Sequence, residues 1–86
     1  MSEDVMIYVD RGRIEIYSKV GLRELLEARR VLKKGGCRYM YGYYVCRPID
    51  IARFFDELVV VLHAKGLSIK FVLRGETDGY LPNVTT

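Results

Sequence analysis

Turn-forming residues cut this chain into segments too short for anything but a small layered fold. Asp10-Arg11-Gly12, Gly35-Gly36, Tyr41-Gly42, Pro48 and Gly66 each end one residue pattern and begin another. Val5 to Val9 and Arg13 to Tyr17 read as strands, the second alternating Ile14 and Ile16 against Arg13, Glu15 and Tyr17. A short hairpin joins them, with Gly12 in its left-handed position. Ser18 stands where a hydroxyl cap belongs, before a helix whose Leu22, Leu25, Leu26, Ala28 and Leu32 recur at helical spacing. Cys37 to Met40 and Tyr43 to Arg47 form a second hairpin, and Pro48 stops its ladder. Asp50 is placed to cap a second helix, striped by Ile51, Phe54, Phe55, Leu58, Val61 and Leu62. Leu67, Ile69, Phe71 and Leu73 then alternate along a last strand.

The predicted fold is α+β, in the order ββαββαβ: a mainly antiparallel five-stranded sheet with two helices packed on one face and the other face open. Residues 1–74 make this single domain. Residues 75–86 are expected to be a loosely ordered tail, or to dock through Tyr80 and Leu81.

At 86 residues, half of them apolar and 29% charged, the chain has the balance of a globular domain with one core. Its longest apolar run, Leu58 to Leu62, is too short to cross a bilayer, and Met-Ser-Glu-Asp is no secretory leader. A cytoplasmic location without a membrane partner is expected. The compact, charged composition resembles that of archaeal and other thermophile proteins.

The net charge of +3 is mild, but its distribution is uneven. No acid falls between Glu27 and Asp50, whereas Arg29, Arg30, Lys33, Lys34, Arg38 and Arg47 all do. Part of that block has a structural motive, since cations in the last turns of a helix complement its dipole. The hairpin inside the block carries Tyr39, Tyr41, Tyr43 and Tyr44, four of the chain's seven tyrosines.

A two-residue loop at Tyr41-Gly42 pairs Met40 with Tyr43, Tyr39 with Tyr44, Arg38 with Val45 and Cys37 with Cys46. One face then shows Cys37, Tyr39, Tyr44 and Cys46, and the other Arg38, Met40, Tyr43, Val45 and Arg47. Met40 and Val45 suggest that the second face meets the helices. Cys37 and Cys46 fall at a non-hydrogen-bonded pair, where Cβ atoms come within about 4.5–5.5 Å, so a disulfide can form there. Cytosolic disulfides are rare outside hyperthermophiles, and two free cysteines acting as small hydrophobes is the favoured alternative.

Catalytic patterns are missing. One histidine, His63, and two cysteines do not make a zinc site, and no histidine lies where a cysteine nucleophile would need it. Neither glycine pair belongs to a phosphate loop or dinucleotide fingerprint. Asp50 reads as a cap, and Asp56 and Glu57 as the outer face of a helix. No enzyme activity, cofactor or metal is expected.

Tyrosine among arginines can stack on bases and neutralise phosphates. The expected function is a non-catalytic nucleic-acid-binding module, DNA slightly ahead of RNA, using Arg30, Lys33, Lys34, Arg38, Tyr39, Tyr41, Tyr43, Tyr44 and Arg47. The alternative is a protein-interaction module that forms a homodimer through the sheet face or the strand Leu67 to Arg74. Two segments carry a resemblance: Ile-Tyr-Val-Asp-Arg-Gly-Arg-Ile-Glu-Ile (7–16) and, after one helix, Cys37 to Ile69 with its aromatic hairpin, Pro/Asp-started helix and Gly stop. The pattern resembles the small damage-recognition or HARP-like module at the front of some superfamily 2 DNA helicases. That resemblance implies a DNA-binding accessory domain gripping distorted or single-stranded DNA, with Arg38, Tyr39, Tyr43, Tyr44 and Arg47 on the matching hairpin. No helicase motor follows in this chain.

Overall fold

The computed structural model describes residues 3–74. Its strands are β1 (Val5–Val9), β2 (Ile14–Ser18), β3 (Arg38–Met40), β4 (Tyr43–Cys46) and β5 (Ile69–Leu73), in the spatial order β3-β4-β2-β1-β5. The helices are α1 (Leu26–Lys34), α2 (Pro48–Ile51) and α3 (Phe55–Ala64). Three strand pairs are antiparallel, but β5 runs parallel to β1. The sheet is therefore mixed, not built from hairpins alone. Both helical segments are crossovers: α1 carries the chain from β2 to the edge beyond β4, and α2–α3 carry it back to the far side of β1. The expectation for residues 75–86, Tyr80 and Leu81 included, lies outside the described residues.

Alternation along each strand sends one set of side chains to the helices. Val5, Ile7, Ile14, Ile16, Tyr44 and Cys46 bury there against Leu22, Ala28, Val31, Leu32, Ile51, Leu58 and Leu62. Gly35 lets α1 end directly against α2: a Cβ at this position would overlap Ile51 Cδ1 and stand 3.3 Å from Ile51 Cα. No helix among the described residues is long and apolar enough to cross a membrane.

Several local expectations change. Ser18 ends β2 and its hydroxyl accepts from the Val20 N–H at 3.1 Å, so it caps no helix. A 3-10 turn, Leu22–Glu24, comes first, and extended Leu25 delays α1, which turns Leu26 out to solvent. Asp50 sits inside the first turn of α2, which Pro48 opens, and there accepts from Arg47 Nε at 2.7 Å. The second helix is interrupted by a 3-10 turn at Ala52–Phe54. Gly12 is not left-handed; the Asp10 N–H to Arg13 carbonyl bond, 3.0 Å, closes that loop instead.

Candidate nucleic-acid interface

The tyrosine hairpin forms in the register its turn chemistry predicts, with Arg38 opposite Val45, Tyr39 opposite Tyr44 and Met40 opposite Tyr43. Tyr41 at φ 56° and Gly42 at φ 89° make the primed turn that matches strand twist. At the open end of the hairpin Cys37 and Cys46 are joined by a disulfide, so the free-cysteine reading is replaced.

Which side faces the helices is the reverse of the expectation. β4 pairs with β2 so that Cys46 lies beside Ile14 and Tyr44 beside Ile16, and those isoleucines belong to the core. Cys37, Tyr39, Tyr44 and Cys46 therefore lie on the helix side, and Arg38, Met40, Tyr43 and Val45 on the open face.

The predicted site residues do not share one surface. Tyr44 is only 7% exposed, and its burial raises the phenol pKa, an effect opposed by the nearby Arg23 and Arg29 charges. It is a packing residue and cannot stack on a base. Tyr39, 44% exposed, meets Tyr44 edge-on at 4.9 Å and lies under the Arg23 guanidinium at 4.7 Å. Arg30, Lys33 and Lys34 line a separate hollow of about 450 Å³ on α1, where Lys34 also pairs with Glu57 of α3 at 3.0 Å. They do not join the hairpin.

What the structure does bring together lies around β3, an edge strand. On its open-face side Arg13, Arg38, Met40, Val45, Arg47 and Asp50 line a cleft of about 460 Å³. On its helix side Arg23, Arg29, Gly21, Glu24 and Tyr39 line another of about 350 Å³. Tyr41, at the tip of the hairpin, is 89% exposed. Arg38 has no carboxylate partner among the described residues, whereas Arg47 is held by Asp50.

The remaining open face is a packed aromatic row. Tyr17 stacks on Tyr43 at 4.4 Å, Tyr8 meets Tyr17 edge-on at 5.3 Å, and the Arg74 guanidinium covers Tyr8 at 4.6 Å. Beneath them Glu15 is 4% exposed and accepts from Arg13 Nε at 2.7 Å, from the Tyr17 hydroxyl at 3.1 Å, and from Arg74. Burial by itself would raise the Glu15 pKa, but the hydrogen bonds from Arg13, Tyr17 and Arg74 together outweigh it and hold the carboxyl below its ordinary value. Burial first, then the bond to Glu15 and its charge, push the Tyr17 phenol up to about 12. These rings mostly occupy one another's faces, so only the outer side of Tyr43 is left for stacking.

Sequence reasoning missed Arg13, Arg23 and Arg29 as members of the hairpin surround, and Tyr8, Tyr17 and Arg74 as its neighbours. Strand alternation already put Arg13 and Tyr17 on the polar side of β2. Nothing in the spacing brings Arg23, before α1, beside Tyr39. His63 is exposed near the end of α3, and no cluster among the described residues could hold a metal ion.

No protein-family model, curated protein or solved structure matches the chain, so the resemblance to a helicase accessory module rests on the quoted motifs alone.

Proposed function

We propose that this chain is a non-catalytic nucleic-acid-binding module that grips a phosphate backbone with the edge hairpin β3–β4, DNA ahead of RNA. The observation that carries the reading is the pair of arginine-lined clefts on the two sides of one exposed strand. Phosphates sit beside Arg38 and Arg47 on one side and Arg23 and Arg29 on the other. Tyr41 supplies the ring with both faces free. Binding is dominated by charge, because most open-face tyrosines are already stacked on each other.

Fluorescence anisotropy with single-stranded and duplex oligonucleotides at two salt concentrations tests this. Four phosphate contacts give a slope of log K against log salt of about −3 to −4, as each contact releases condensed counterions. Arg38→Ala lowers that slope by about one and weakens binding to every sequence alike. Absence of binding at low salt to both DNA forms and to RNA would end the proposal.

A further inference from the structure

The two edges of the sheet are built differently. β3 is only three residues long, which discourages another strand from adding to it. β5, at the opposite edge, is five residues long, has no proline, and exposes Phe71 at 49% and Leu73 at 62%.

The backbone phase of β5 is fixed by its parallel ladder. The Val5 N–H donates to the Ser68 carbonyl at 2.9 Å, and the Arg74 N–H donates to the Val9 carbonyl at 3.1 Å. With the register Val5–Ile69 through Val9–Leu73, the bonds to β1 fall on Ser68, Lys70, Val72 and Arg74. Ile69, Phe71 and Leu73 therefore turn both their N–H and C=O groups outward, with no partner among the described residues. Of these three, Phe71 and Leu73 hold exposed apolar side chains and Ile69 a half-buried one that also packs on the core, all on the helix side of the sheet.

We infer that β5 is the surface through which two copies of this chain pair, antiparallel, about a two-fold axis at Phe71. In that register Phe71 meets its own copy, and Ile69 meets Leu73 of the second copy on either side. All three are hydrogen-bonded pairs, because they use the outward-turned groups on both strands, so six backbone hydrogen bonds form at once. Their side chains make one apolar seam, extended by Phe55, whose ring lies 5.5 Å from that of Phe71. On the open face Lys70 falls opposite Val72 of the second copy. Sliding the strands by one repeat sets Lys70 against Lys70 in one direction and against Arg74 of the second copy in the other, and the like charges disfavour both. The strand is thus self-complementary in one register, as an isologous contact requires. A single strand pair is smaller than a standard interface of about 1,600 Å², so the dimer is weak, with a Kd on the order of 10–100 μM.

Sedimentation velocity on the full chain from about 5 to 500 μM tests this independently of nucleic-acid binding. The expected result is a reversible shift from monomer to dimer, with the Ile69, Phe71 and Leu73 amides slowing in hydrogen exchange as dimer forms. Leu73→Lys sets a charge in the seam at a half-exposed position and raises the dimer Kd at least about tenfold. Phe71→Pro removes an N–H that no described residue uses, and abolishes the dimer while circular dichroism stays native. A monomer at every concentration overturns the inference. So does protection of those three amides in the monomer, which means residues 75–86 or another segment of the same chain cover the edge.

Discussion

Reducing the Cys37–Cys46 bond is the perturbation whose size the fold fixes best. The two residues lie nine positions apart and close only the small ring of the hairpin. Loop-closure entropy for a ring of that size removes about 2.6 kcal/mol from the freedom of the unfolded chain at 25 °C. The folded hairpin has its own register, set by the Tyr41-Gly42 turn and by the pairing of β4 with β2, so reduction changes the unfolded state far more than the folded one. For a domain of this length 1 kcal/mol moves Tm by about 4–8 °C, so reduction should lower Tm by roughly 10–20 °C. Reductant is preferable to substitution, because Cys46 is buried and a serine there would hide a hydroxyl among Ile14 and its neighbours. The assay is thermal and urea melting with and without a phosphine reductant, with alkylation mass spectrometry to count thiols. Coincident melts of the verified oxidised and reduced forms would refute the reasoning. Two alkylatable thiols in protein never exposed to reductant would remove the bond itself.

Two further outcomes follow from packing and charge. Gly35→Ala drives a methyl into Ile51, including its backbone Cα, and should cost about 1–3 kcal/mol by urea melting, whereas Gly12→Ala, with open space around it, should cost far less. Glu15 has a folded-state pKa below its unfolded one, so its stabilisation is complete above the unfolded value of 4.5 and is lost as pH falls through the folded pKa. Melts between pH 7 and pH 2 should therefore show stability falling at the acid end, and Glu15→Gln should flatten that fall while leaving Arg13 and Arg74 with a weaker acceptor.

The parts of the fold legible in the sequence are those set by neighbouring residues. Glycine in a primed turn and the period of two gave the hairpin register directly, and helical spacing found Ala28, Leu32, Leu58 and Leu62 in the core. What escaped depends on contacts distant in the chain. The face of the hairpin was read from Met40 and Val45, yet it is decided by β4 lying against β2. The parallel placement of β5 depends on where a helical crossover lands, which short-range patterns do not record. Leu26 followed the apolar period but lost its place when Leu25 stayed extended. At the candidate site Arg38, Tyr41 and Arg47 are placed together by the hairpin they share, whereas Arg23 and Arg29 come beside it only through packing of the helix layer. Tyr44 was misread because a tyrosine's burial, not its company of arginines, decides whether its ring is free.

The most direct measurement is an amide and side-chain chemical-shift map of the labelled protein titrated with a short single strand and a short duplex at low salt. The account predicts shifts at Arg38, Tyr41 and Arg47 and, across the edge strand, at Arg23 and Arg29, with Arg30, Lys33 and Lys34 on α1 little changed. Shifts confined to α1 or β5, or none with either nucleic acid, would contradict it.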